Sequence, residues 1–145
     1  MRILRIAHGL TLALLLVACG DKSEQAGSAC TMASQCYPAV QNQTTIHGTV
    51  TCLTQYQGGY CTHTCTTDAD CCAAPGECQT GFKEVCSPFE NQGAMYCFLS
   101  CETTDIMSAP NGGITDPNAY CSHYAGSSLT CRSTGGGSAN RHFCG

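Results

Sequence analysis

Cys61-Thr62-His63-Thr64-Cys65 brings two thiols and an imidazole within five residues. As thiolates and neutral imidazole these are zinc ligands; in an oxidised protein they are two disulfide partners and a spacer. Composition favours the second reading. Fifteen of the 145 residues are cysteine, a density found in disulfide scaffolds, and no C-x-x-C pair of the zinc-ribbon or redox type occurs. No bound metal and no cofactor are expected. Asp68 and Asp70, either side of Ala69, could contribute to a calcium site, but calcium wants six to eight oxygens and the EF-hand spacing is missing. They predict a local Asx-type turn that aims Cys71. His123 and His142 are expected to be solvated. No serine lies in a G-x-S-x-G elbow and no carboxylate pair has a catalytic setting, so the chain is not expected to be an enzyme.

The elements that position these residues are legible in the cysteine spacing. From Cys30 onward, with Cys72 and Cys78 set apart, twelve cysteines divide into three sets of four. The sets are Cys30, Cys36, Cys52, Cys61; Cys65, Cys71, Cys86, Cys97; and Cys101, Cys121, Cys131, Cys144. "CTMASQC" and "CTTDADC" share one spacing. "TCLTQYQGGYC", "VCSPFENQGAMYC" and "TCRSTGGGSANRHFC" each run from a cysteine through a glycine-containing turn to an aromatic residue and a cysteine. A period of about 35–45 residues marks a repeat, here modules 30–64, 65–100 and 101–145. The second half of each reads as a β-hairpin. In "TTIHGTVTCL", Ile46, Val50 and Cys52 fall on one face, and glycines supply the turns.

Four cysteines permit three pairings, and spacing does not choose among them. The crossed pattern is favoured because it clamps both hairpin strands to the preceding loop: Cys30–Cys52, Cys36–Cys61, Cys65–Cys86, Cys71–Cys97, Cys101–Cys131 and Cys121–Cys144. Cys72 and Cys78 would pair locally around "AAPGE". A competing frame, Cys61 to Cys86 with its adjacent Cys71-Cys72, loosely resembles an inhibitor cystine knot. Large apolar residues are scattered after Cys19, so the composition predicts stapling rather than a self-sufficient core. The expected fold is a small disulfide-rich protein of β-hairpins and loops in three tandem modules, with little helix beyond the N-terminal segment.

Fifteen is odd, so one cysteine stands apart. Met1 to Arg5 is a short basic stretch, and Ile6 to Ala18 is mostly apolar but shorter than the roughly 20 residues a membrane-spanning helix needs. This is the pattern of a secretory signal. Leu16-Val17-Ala18-Cys19 resembles the lipobox of bacterial lipoproteins. The resemblance implies removal of residues 1–18, attachment of diacylglycerol to Cys19 and acylation (palmitate) of its new amine; Gly20 to Ala29 is small, polar and without periodicity, so residues 19–29 read as a lipidated flexible tether. Gly20, where an Asp would retain a lipoprotein at the inner membrane, favours the outer membrane. With its repeated C-x5-C modules, the whole chain resembles uncharacterised cysteine-rich lipoproteins of Gram-negative bacteria.

The formal charge is −4, and becomes −6 once Arg2 and Arg5 are removed. That balance speaks against nucleic acid, which requires clustered Lys and Arg. The reading is a membrane-anchored, non-enzymatic binding or structural display module for a protein or glycan ligand. The alternative is a disulfide-rich protease inhibitor presented at the cell envelope, with Met107 to Asn118 as its loop. Tyr56, Tyr60, Phe89, Tyr96 and Phe143, beside the hairpin cysteines, are candidate contact residues, although packing as a small core against the adjacent disulfide is the favoured reading of each.

Overall fold

Each set of four cysteines builds one antiparallel two-stranded hairpin. In the computed structural model, residues 24–38, 40, 46–78, 81–89, 93–109, 112–135 and 140–145 are described. β1 (Val50–Cys52) pairs with β2 (Cys61–His63), β3 (Glu84–Pro88) with β4 (Met95–Leu99), and β5 (Cys131–Ser133) with β6 (His142–Cys144). The register repeats: Cys52 stands opposite Cys61, Cys86 opposite Cys97, and Cys131 opposite Cys144. Residues directly opposite one another point to the same sheet face. Both therefore meet the preceding loop, where the other two cysteines of the set wait.

Seven disulfides result: Cys30–Cys52, Cys36–Cys61, Cys65–Cys86, Cys71–Cys97, Cys72–Cys78, Cys101–Cys131 and Cys121–Cys144. The first cysteine of each set joins the third and the second joins the fourth. The cystine-knot frame is absent, since Cys61 and Cys71 bond to Cys36 and Cys97, both outside it. Cys19 and the lipobox lie outside the described residues.

Three expectations about local structure need correction. First, the strand in "TTIHGTVTCL" begins only at Val50. Gly48 has φ +131, and a Cβ there would lie 1.9 Å from the Thr64 carbonyl oxygen, so close backbone approach replaces strand pairing. Second, the interval between Cys101 and Cys121, which holds the loop expected at Met107 to Asn118, is partly helical. It contains α1 (Thr103–Ser108) and the start of α2 (Pro117–Tyr124). Asp116 caps α2 by accepting from the Ala119 amide at 2.7 Å, with Pro117 in the first turn, where its missing N–H costs nothing. Met107 to Asn118 is therefore helical at both ends. Third, the predicted tether ends before Glu24. Glu24, Gln25 and Ala26 are buried, and the segment pairs with β2 through Gly27 N–H to Cys61 O and Cys61 N–H to Ser28 O, at 3.0 and 2.8 Å.

The core is larger than the composition predicts, and it is shared. Tyr60 of the first hairpin, Phe98 of the second and Phe143 of the third are all buried. Phe98 lies 5.3 Å from Tyr60 and 4.7 Å from Phe143, centroid to centroid. The Tyr60 hydroxyl accepts from Leu99 N–H at 2.9 Å, which satisfies its polar end inside the core. Phe89 is buried too, while Tyr56 and Tyr96 are half-buried against the same cluster. The aromatics read as contact residues are thus core residues, packed between modules rather than each against its own disulfide.

Candidate functional site

Two features stand at the junction of the first two hairpins, a buried polar cluster and an open groove on its outer side. His63 ends β2 and is fully buried. Its Nδ1 lies 3.0 Å from Thr64 O and 3.2 Å from His47 O. Both neighbours are carbonyl acceptors, so Nδ1 carries a proton and donates it. The other ring nitrogen, Nε2, sits 2.7 Å from Glu77 Oε1, with both side chains fully buried. That contact has ion-pair distance without hydrogen-bond geometry.

Glu77 lies in the loop closed by Cys72–Cys78, where its Oε2 accepts from Ala74 N–H at 3.1 Å. Glu84 opens β3 and accepts from Ala26 N–H at 2.7 Å through Oε1. Glu84 Oε2 and the Tyr37 hydroxyl are buried and make no hydrogen bond. Glu24 meets Glu77 in a parallel bridge. The buried charged residues are thus three glutamates and one histidine, with no lysine or arginine among the described residues. Burial, reinforced by the neighbouring Glu77 charge, pushes Glu84 up to about 8. For His63, burial opposes the charged ring, but the Glu77 carboxylate outweighs it and the net shift is upward. Burial and then the charges of Glu84 and Glu77 hold the Tyr37 phenol well above its ordinary range.

These shifts set the sign of a pH effect. Glu84 binds its proton more tightly in the folded chain than in the unfolded one, where it titrates near 4.5. Stability from that proton is complete below the unfolded value and is lost as the pH climbs through about 8. His63, also raised, has the same sign. The melting temperature is therefore expected to fall between about pH 5 and pH 9. Glu84→Gln should flatten that fall; a variant with an unchanged profile refutes the assignment.

The groove, of about 680 Å³, is lined by His47, Gly48, Thr64, Cys65, Thr66 and Asp70 on one side and by Gly93, Ala94 and Met95 on the other. Asp70 closes a 3₁₀ turn, Asp68–Asp70, and one of its oxygens accepts from Thr66 and Thr67 amides at 2.9 and 2.8 Å. Hydrogen bonds from the Thr66 hydroxyl and these amides, with His47 Nδ1 at 3.2 Å, hold its carboxyl well below the usual range. Asp68 accepts from Cys86 N–H at 2.8 Å and pairs with Arg141. The two aspartates therefore spend their oxygens on turn and inter-module contacts. His142 lies against Glu102 and His123 against the Tyr124 ring; the structure gives each its own partner.

Sequence reading found His63 but not its neighbours. Tyr37, Glu77 and Glu84 share no spacing with it, and nothing in their local sequence signals burial. Compared with protein-family models, curated proteins and solved structures, the chain matches none.

Proposed function

We propose that the protein is a lipid-anchored module of the cell envelope, held by acyl chains on Cys19, which presents a rigid groove to a protein or glycan ligand and performs no chemistry on it. The observation that carries this reading is the groove itself. Cys65–Cys86 and Cys71–Cys97 brace its walls. A recognition surface fixed before binding loses little conformational entropy when it is filled. One side offers the exposed His47 ring as a hydrogen-bonding group, and the other offers Ala94 and Met95 as apolar surface. The lipobox residues Leu16 to Cys19 support the anchor, and Gly20 favours the outer membrane.

Cys19→Ser and Ala94→Arg test the two halves of the proposal. Intact mass should show wild-type Cys19 acylated, and Cys19→Ser should release the protein from the membrane fraction. Ala94→Arg fills the groove from its wall and should weaken capture of envelope protein or glycan by at least about tenfold, the equivalent of ~1.4 kcal/mol, while all seven bridges persist. An unmodified wild-type Cys19 overturns the anchor. Undiminished capture by Ala94→Arg overturns the groove.

A further inference from the structure

We propose that Cys72–Cys78 is a reversible redox site, opened by a dithiol reductant, with Glu84 supplying the proton to the departing sulfur. Three observations set this bridge apart from the other six. Cys72 is the only exposed residue among the fourteen bridged cysteines, and Cys78 is half-buried. Thiol–disulfide exchange needs a thiolate to reach one sulfur, so exposed bridges are the labile ones. The two cysteines are 6 residues apart, against 21 to 30 in the other bridges. A short loop restricts the unfolded chain least and gives the least stabilisation. Cys78 also has φ +52, a left-handed backbone that a non-glycine residue leaves readily once the closed loop no longer holds it.

A fourth observation concerns the proton. A Glu84 carboxyl oxygen lies within 4.8 Å of both bridge sulfurs. Oε1 accepts from Ala26 N–H at 2.7 Å, while the buried Oε2 makes no hydrogen bond. Burial, then the neighbouring Glu77 charge, pushes Glu84 up to about 8. Near pH 7 the carboxyl is therefore mostly protonated, and Oε2 is the oxygen free to carry the proton. A neutral acid beside a departing thiolate eases cleavage, and the freed Cys78 sulfur or one water can span the remaining gap. The other titratable groups around Glu84 are Glu77 of the Cys72–Cys78 loop, His63 and Tyr60 of the first hairpin, and Tyr37 and Glu24 of the segments packed over it.

The exchange balances. A reductant thiolate attacks Cys72 Sγ, the S–S electron pair leaves on Cys78 Sγ, and Glu84 Oε2 gives that sulfur its proton. The reductant's second thiolate then attacks the mixed disulfide at the reductant's own sulfur. Cys72 leaves as a thiolate that water protonates, the reductant departs as a disulfide, and solvent returns a proton to Glu84. Two electrons pass to the protein, and the two protons the dithiol gave up replace those taken. Opening unties the loop that carries Glu77, which meets His63 Nε2 at 2.7 Å and bridges to Glu24. Cys78 N–H also donates to Glu24 O at 3.4 Å. Reduction should therefore loosen segment 24–28 while six bridges hold the hairpins. The pair has neither C-x-x-C spacing nor a counterpart in the other modules, so spacing along the chain gives no sign of this role.

The test uses the full-length chain in detergent micelles, treated with dithiothreitol at pH 7 without denaturant, trapped with iodoacetamide and mapped by mass spectrometry. Cys72 and Cys78 should be alkylated at least about tenfold faster than any other pair, and oxidised glutathione should restore the bridge. Hydrogen exchange should rise in segment 24–28 on reduction, and the double variant Cys72→Ser, Cys78→Ser should show the same rise without reductant. Glu84→Gln should slow the opening at pH 7 by at least about tenfold, the low side of what a positioned acid contributes. Should that variant fail to fold, the wild-type rate per dithiothreitol thiolate decides, since it should fall as the pH climbs through about 8. Another bridge opening first or alongside overturns the redox site, and unchanged exchange in 24–28 overturns the release. An undiminished rate in Glu84→Gln, or a flat wild-type profile, overturns the proton donor.

Discussion

Phe98→Ala is expected to cost about 3–5 kcal/mol, the range for truncating a buried aromatic side chain, and to loosen all three hairpins together. Phe98 is fully buried on β4 and is the ring on which the other two hairpins converge, with Tyr60 at 5.3 Å and Phe143 at 4.7 Å. Polar contacts reinforce the same junctions. Thr62 Oγ1–H donates to Cys97 O at 2.6 Å, and Cys101 N–H donates to His142 O at 3.1 Å. Removing the ring leaves a cavity lined by all three units, and their disulfides cannot close it because each bridge stays within its own set. Hydrogen exchange followed by mass spectrometry should show protection falling in β2, β4 and β6 alike. If β6 keeps its protection while β4 loses it, the modules are independent and the shared core is not what holds them.

Replacing both Cys121 and Cys144 by alanine should cost about 3 kcal/mol, the stabilisation expected of a bridge closing a loop of some twenty residues. This disulfide spans 23 residues and is the covalent link between α2 and β6. Both partners are replaced because a lone thiol could attack a neighbouring bridge. Sequence spacing predicts damage confined to the last 45 residues. The structure predicts more, since Phe143 adjoins Cys144 in β6 and packs on Phe98. Limited proteolysis should therefore open α2 and β6 first and then the β3–β4 hairpin, with Cys30–Cys52 and Cys36–Cys61 intact. Cleavage that stops at Cys101, with unchanged exchange in β4, would restore the independent-module view. Bridges joining cysteines before 62 to those after 100 would overturn both views.

Covalent and local information was legible in the amino-acid order. Odd cysteine parity, the three four-cysteine sets and the glycine-bearing turns identified a disulfide-rich protein of β-hairpins, and the structure has that class of fold. These features are readable because spacing along the chain constrains them directly: a turn needs its glycine, and a staple needs its thiols. The proposed anchor rests on Leu16 to Cys19 alone. What only the tertiary structure decided involves residues far apart in sequence. It selected the crossed pairing from three possibilities per set, by placing two cysteines opposite each other in every hairpin. It drew Tyr60, Phe98 and Phe143 into one core, although each looks like an isolated surface aromatic beside its own cysteine. It folded residues 24–29 against β2, where small polar composition suggested a free tether, because Ala26 and Gly27 supply backbone amides to Glu84 and Cys61. It also buried His63 with Glu77 and Glu84. No local pattern records that cluster, since the burial of a charge depends on what the rest of the chain packs around it.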